Sequence, residues 1–342
     1  MHLKNIVYNI NKHTKTGVIM KTILTLCVIL FGFLYQIQAE AKSDWERWVS
    51  ELKEEAISQG IDSDLFDQLF ANISAPDQSV QHFSQHQPEH RITYPEYKNT
   101  RADTYKIIIG RRAYKKHQSI LQSVARSYNV SACYIVALWG METSYGRYMG
   151  KFPVVKSLAT LAYQSNRQAK FRSELLYALH MLNDHQVSIE QFKGEWAGAT
   201  GQPQFLPSSW FKYAVDYDMC GRKDIWTSYP DVFASIANYL VKNNWNDAEP
   251  VMVPVVLPKD FNTHLIGMTI SKPVSAWNEL GVSFVDGGSL PFLNVQASLI
   301  QPDGDGTYLV YPNFKVLLSY NNSIYYAGTV KYLADEICQK QT

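Results

Sequence analysis

Apolar residues recur at helical spacing from the first patterned stretch of the chain. In "SDWERWVSELKEEAISQGI" (43–61), Trp45, Trp48, Val49, Leu52, Ala56 and Ile57 fall on one face, with Ser43 as N-cap and Gly60 as stop. "DSDLFDQLFANI" predicts a second short helix. Residues 74–95, mixed in Pro, His, Gln and Ser, read as an extended connector. Helical patterning then dominates from about Thr104 to Asn244. After Trp245 the texture changes: "PVMVPVVLP" (250–258), "LNVQASLI" (293–300) and "TYLVY" (307–311) are β-rich and punctuated by Pro and Gly. "QPDGDG" (301–306) reads as a hairpin turn rather than a metal loop, and "IYYAGTVKYLADEIC" predicts a closing helix. The pattern predicts a mainly α (α+β) protein with a small β-rich part late in the chain.

The 342 residues, 46% of them hydrophobic, suffice for a substantial core in one large or two to three smaller domains. Ahead of the patterned region, Lys21 precedes the apolar run "TILTLCVILFGFL" (22–34), and Ala39-Glu40-Ala41 supplies a small-x-small cleavage pattern. Residues 1–41 therefore read as a signal peptide, with Met20 an alternative start. The run is short for a membrane anchor. Cys27 lies inside it after Leu26, which does not suit lipidation. Without residues 1–41 the chain carries 28 basic and 30 acidic residues, so bulk charge offers nothing to nucleic acid. Cys133, Cys220 and Cys338 then remain. The odd number argues against a disulfide framework and leaves room for one pair in an oxidising compartment.

Within "GMETSYGRYMGKFP" (140–153), Glu142 directly follows the greasy run "CYIVALWGM". Ser131 supplies an N-cap, the helix has almost no polar face and so is buried all round, and Gly146 marks its end. Leu138 and Trp139 lie one turn behind Glu142. Burial and the negative end of the helix both disfavour a carboxylate there and raise its pKa. A carboxyl still protonated near neutral pH can act as a glycosidase acid. A glutamate paired with Arg147 is the plainer alternative. A second stretch, "FKGEWAGATGQPQFLPSSW" (192–210), is dense in Gly and Ala around Gln202, Gln204 and Phe205. It reads either as a tight inter-helix corner or as a sugar site, with amides for hydroxyl and acetamido groups and a ring for stacking. The 22 tyrosines and 8 tryptophans fit core packing and a sugar-stacking groove equally.

"WGMETSYGRYMGKFPVVKSLATLAY", "EWAGATGQPQFLPSSWFKYAVDYD", "DIWTSYPDVFASIANYL" and "YPNFKVLLSYNNSIYYAG", in this order, resemble the lytic murein transglycosylase B family from about residue 43 onward. The resemblance implies N-terminal helices and a connector (42–95), a lysozyme-like catalytic core (96–248), a β-rich accessory part (249–306) and a C-terminal segment (307–342) returning to the core. It implies peptidoglycan glycan strands as partner, the periplasm of a Gram-negative bacterium as location, and no required cofactor. By position, Glu142 matches the family's sole catalytic carboxylate. Gln204 and Phe205 match the pair beside the cleavage site, and Tyr239 a tyrosine near the glutamate. Tyr320, Asn321 and Tyr326 match groove-lining positions, Tyr97 an upstream tyrosine and Arg167 a contact to the peptide stem. Gln168 stands where a second basic residue is usual, and Glu195 where the family can carry a serine.

One carboxylate suits this chemistry, because ordinary glycosidases need two. Glu142 would protonate the oxygen of the MurNAc–GlcNAc β-1,4 bond. It would then take the proton of the muramic 6-hydroxyl as that oxygen closes a 1,6-anhydro ring. A hydrolytic muramidase on the same core and a catalytically silent peptidoglycan-binding scaffold are the alternatives. "DYDMCGRKDIWT" (216–227) has the outline of an EF-hand loop, with Asp216 and Asp218 at the first and third positions and Gly221 at the sixth. The family can bind calcium here, with Asp231 as a further ligand. Cys220 at the fifth position and Thr227 at the twelfth make a polar loop with helix-capping aspartates the preferred reading. Mature protein is expected to begin near Lys42 and to be recovered in the soluble periplasmic fraction. N-terminal sequencing after fractionation checks this, and detergent-dependent recovery with residues 22–34 retained would contradict it.

Overall fold

The computed structural model describes residues 44–85, 92–291 and 294–339. The expected signal peptide, its junction near Lys42 and the Ser43 cap lie outside the described residues. The chain divides into two compact units, one up to Pro76 and one from Asp77 onward.

The first unit contains α1 (44–58) and α2 (Ser63–Phe70). Trp45, Leu52 and Ala56 are buried on the face their spacing predicts, whereas Ile57 is 44% exposed and stands off it. The Trp45 indole donates to the Ile73 carbonyl at 3.2 Å. Gly60 stops α1 in the left-handed conformation, and Asp62 caps α2 by accepting from the Leu65 N–H.

The second unit is mainly helical, with a small antiparallel sheet late in the chain. It opens with α3 (Gln78–Gln85), where an extended connector was expected. Asp77 accepts from the Ser79 and Val80 N–H groups and so starts this helix. Its apolar face is too sparse to read from sequence, since only Val80 is buried. α4 (Tyr94–Arg101) begins with a capping box between Thr93 and Glu96. α5 (Thr104–Lys116), α6 (Gln118–Tyr128), α7 (Ala132–Thr143), α8 (Val154–Gln164), α9 (Gln168–Asn183), α10 (Pro207–Tyr213) and α11 (Tyr229–Lys242) follow. A two-stranded ladder of β1 (Phe152–Pro153) and β2 (Lys193–Gly194) closes the base of the segment linking α9 to α10.

The centre of this unit is α7. Ile135, Val136, Ala137, Leu138 and Trp139 are all essentially inaccessible, so the helix is buried on every side, as its composition requires. It packs on α5, α6, α11 and α14 (Ile324–Cys338). Each large side chain so buried contributes about 1.5–3 kcal/mol, which is why this helix tolerates no polar face.

The sheet comprises β3 (Met252–Val256), β4 (Lys272–Pro273), β5 (Ser283–Phe284), β6 (Gln296–Ile300) and β7 (Thr307–Val310) in the order β4-β6-β7-β3-β5. Its face bearing Met252, Ile300 and Val310 joins the helical core. The opposite face, with Val255, Leu299 and Leu309, buries Trp277 of α12 (Val274–Glu279). β6 and β7 form the hairpin that "QPDGDG" predicted, with Ser298 opposite Val310. β7 pairs with both β3 and β6, so the sheet runs past residue 306 and Thr307–Val310 belongs to it. α13 (Pro312–Tyr320) and α14 then return to α7.

Cys133, near the start of α7, is joined by a disulfide to Cys338, the last residue of α14. Cys220 is the free, exposed cysteine of the odd set. The bridge closes a loop with a sequence separation of 205. Closure of a loop that long removes much of the unfolded chain's freedom. Replacing both Cys133 and Cys338 with Ala is expected to cost about 2–4 kcal/mol. Thermal melting with and without reductant checks it: reductant should lower the melting temperature of the natural protein and leave the double variant unmoved.

Candidate active site

The site is built at the C-terminal end of α7. Ser131 caps the start of that helix by accepting from the Cys133 N–H at 3.3 Å. At the other end the chain leaves the helix through Ser144 and Tyr145, both left-handed, two residues before the glycine expected to stop it. The loop before α10 pins this end. Gln202 accepts from the Trp139 indole at 2.7 Å and donates to the Trp226 carbonyl at 2.8 Å, while its own backbone carbonyl accepts from the Thr143 hydroxyl. Gln202 is therefore a buried peg, not the sugar-facing amide that its sequence neighbourhood suggested. A buried amide tied to the protein through both its oxygen and its nitrogen is not presented to a ligand.

Glu142 occupies the last turn of α7, and the Tyr326 hydroxyl of α14 donates to its Oε1. Burial pushes the Glu142 carboxyl up to about 7, offset by the Tyr326 hydrogen bond and the charge of Lys106. Arg147 is not its partner, because that guanidinium donates to the Tyr105 hydroxyl at 2.9 Å and lies over its ring. Burial also holds the Tyr320 and Tyr326 hydroxyls far above the usual phenol range, so both stay neutral.

Beside Glu142 stands a wall of packed rings. Tyr239 lies 4.5 Å from Tyr320 and 5.8 Å from Phe205, centroid to centroid. Phe205 is only 2% exposed, so it supports this wall from beneath and cannot stack on a sugar. The Tyr239 hydroxyl donates to the Ser319 carbonyl at 2.6 Å and the Tyr320 hydroxyl to the Pro203 carbonyl at 2.7 Å, which ties α11, α13 and the Gln202 loop together. Gln204, at φ 52°, donates its amide to the Met149 and Gly201 carbonyls, and its Oε1 has no partner among the described residues. Asn321 is exposed just after α13. Tyr97 of α4 packs its ring 5.8 Å from Tyr325 and is within electrostatic reach of Glu142.

Arg167 and the acidic loop are not part of this cluster. Arg167 is exposed at the start of α9, its guanidinium 5.5 Å from the Phe171 ring. In the loop, ligand atoms of Asp216, Asp218, Cys220 and Asp231 lie within 4.8 Å of one another. The aspartates are already engaged from within. Asp216 accepts from the Cys220 and Gly221 N–H groups, and Asp218 from the Cys220 N–H and the Ser228 hydroxyl. Asp231 accepts from the N–H groups of Tyr217, Asp218 and Asp224. Hydrogen bonding to Asp218 pushes the Cys220 thiol up and keeps it protonated. Calcium takes six to eight hard oxygens. The three carboxylates supply part of such a set, and Cys220 offers sulfur where a hard oxygen is wanted.

Sequence reasoning missed Lys106, whose ammonium reaches the end of α7 and donates to the Gly140 carbonyl at 3.3 Å. One lysine in a basic helix carries no signal of its own. The Cys133–Cys338 pairing was equally hidden, since nothing local relates two half-cystines so far apart.

The family described as Transglycosylase SLT domain matches residues 44–335. Membrane-bound lytic murein transglycosylase B of Escherichia coli K12 is 32% identical over 234 residues, which cover 66% of this chain and 62% of that protein, less than two thirds of its length. SltB3 from Pseudomonas aeruginosa, solved in complex with NAG-NAM-pentapeptide, superposes with a TM-score of 0.83 at 39% identity, covering 86% of this chain and 80% of that one. The Escherichia coli lytic transglycosylase Slt35, solved in complex with calcium, gives a TM-score of 0.73 at 26% identity over 84% of this chain and 92% of that one.

The raised Glu142 pKa has a consequence for stability. A carboxyl whose pKa is higher in the native than in the unfolded state stabilises the fold below its unfolded value, and that contribution is lost as pH rises through the native value of about 7. Glu142→Gln has no charge to bury. It should melt at the natural protein's temperature near pH 4 and a few degrees above it near pH 8, as followed by circular dichroism.

Proposed function

We propose that this chain, which belongs to the transglycosylase SLT domain family, is a lytic transglycosylase that cleaves the MurNAc–GlcNAc β-1,4 bond of peptidoglycan and leaves 1,6-anhydro-MurNAc ends. The observation that carries the reading is the half-buried carboxyl of Glu142 at the end of an apolar helix, with a phenol donating to its Oε1 and its pKa raised to about 7. An acid poised near the working pH is half prepared for each direction of proton transfer.

In the first step Glu142 gives its proton to the glycosidic oxygen, the anomeric bond breaks, and the leaving sugar departs with a new hydroxyl. In the second, the Glu142 carboxylate takes the proton of the muramic 6-hydroxyl while that oxygen bonds to the anomeric carbon. The acid is regenerated and no water is consumed. Tyr326 orients Glu142 and steadies its charged form. With the Tyr239 and Tyr320 hydroxyls given to backbone carbonyls, Gln204, partly exposed beside the ring wall, is the side chain we assign to the substrate acetamido group, its buried Oε1 turning outward to meet it. Asn321 and Tyr97 border the strand, Phe205 supports the wall, and Arg167 meets the peptide stem.

The periplasm is the compartment this reading requires, and a structural disulfide suits an oxidising one. Among the described residues no helix is long and apolar enough to cross a membrane. No step of the reaction draws on Asp216, Asp218 or Asp231, and the proposed chemistry needs no cofactor.

Glu142→Gln is expected to reduce cleavage of purified sacculi by at least about 100-fold to 10,000-fold, the usual worth of general acid–base help, while glycan binding persists. Mass spectrometry of the digest by the natural protein should show anhydro ends. Products heavier by one water would identify a hydrolytic muramidase instead, and no products at all a binding scaffold.

A further inference from the structure

Lys106 is held in place from both sides. It lies in the first turn of α5, where its own N–H donates to Asp103 at 2.7 Å. Its backbone carbonyl accepts from the Tyr145 hydroxyl at 2.9 Å, and its ammonium donates to the Gly140 carbonyl in the last turn of α7. Tyr145 can make this reach because two neighbours lack side chains. A Cβ on Gly110 would meet the Tyr145 hydroxyl at 2.3 Å, and one on Gly140 would meet its ring at 2.6 Å. Those are impossible contacts, so the Tyr145 ring locks α5 against α7 only between these glycines. The lock delivers a cation to the negative end of α7, two residues from Glu142.

Such a cation could merely cap a helix, which is worth about 0.3–1 kcal/mol. Three observations argue for more. The ammonium is partly buried, and burial lowers its pKa, so water screens its charge poorly. The groups facing Glu142 from the other packed helices are phenols: Tyr97 of α4, Tyr239 of α11, Tyr320 of α13 and Tyr326 of α14. Burial raises the pKa of each, so all stay neutral. Among the described residues the charge of Lys106 of α5, held at the Gly140 carbonyl, favours the charged form of Glu142, while Arg101 and Asp103 act on Lys106 itself with opposite signs.

We propose that Lys106 is a positioning residue of the reaction, its ammonium steadying the negative charge that Glu142 acquires on giving up its proton. This rests on the role assigned to Glu142 above. Proton delivery creates a carboxylate in an apolar setting beside the negative end of a helix. Without a counter-charge, that product would be costly and the acid correspondingly weak.

The test compares Lys106→Met, which keeps the stem and loses the charge, with Lys106→Gln and Lys106→Arg. Two measurements are made on each: the pH dependence of sacculus cleavage, and titration of the Glu142 carboxyl by carbon-13 NMR. Activity requires protonated Glu142 and is lost above its pKa. A directly adjacent opposite charge lowers a carboxyl pKa by about one to three pH units, and Lys106, seated on the Gly140 carbonyl, belongs at the low end of that range. Removing it should therefore move the alkaline limb and the carboxyl titration upward together by about one pH unit. Cleavage at the optimum should fall about tenfold, through kcat more than KM. Lys106→Arg should return both midpoints to the natural values. A uniform fall in activity with both midpoints unmoved would reduce Lys106 to a helix cap and overturn the proposal. So would equal displacement in the Arg variant. A natural protein without turnover would refute the lytic reading alone, because the carboxyl titration needs no substrate.

Discussion

A carboxyl group at the end of an apolar helix is the constraint around which this protein is organised. The body of α7 is buried on every side, and Glu142, half-buried at its end, stands where that apolar packing meets the site. What surrounds it has to keep the group tolerable in both protonation states. A phenol from α14 and an ammonium from α5 favour the charged form, and burial favours the neutral one. Burial is the larger influence, and the balance leaves a pKa of about 7.

The same constraint explains why α14 is fastened twice. Tyr326 meets Glu142 at one end of the α7–α14 pair and the Cys133–Cys338 bridge closes the other. The two fastenings fix both the distance and the register of the helices. A slip of either helix by one turn would remove the phenol from the carboxyl. The ring wall of Phe205, Tyr239 and Tyr320 does similar work on the other flank, with hydroxyls spent on backbone carbonyls to hold helices and loop together.

The central helix, its glutamate, the late strands and their hairpin were legible in the sequence because each rests on local pattern. The run before Glu142 has no polar face, and "QPDGDG" between two β-rich stretches admits little else. Helix α3 escaped because its single buried residue, Val80, leaves no periodicity to detect. For Gln202 and Phe205 the sequence left a tight inter-helix corner and a sugar site both open, and their burial fits the corner. A Gly-rich loop says that backbones come close without saying which side chains turn inward. Lys106 and the half-cystine pair depend wholly on which helices become neighbours, and that information is spread over the entire chain.

The hairpin between β6 and β7 reaches back to α4: the Tyr94 N–H donates to the Asp303 carbonyl, and Gly304 lies against Thr93. The helix carrying Tyr97 is thus braced by residues far later in the chain, just as Glu142 finds its phenol 184 positions downstream. Contacts of such separation form slowly, because long loops must close before anything rewards them. A ribosome releases Glu142 well before Tyr326, so the acid emerges ahead of the phenol that meets it.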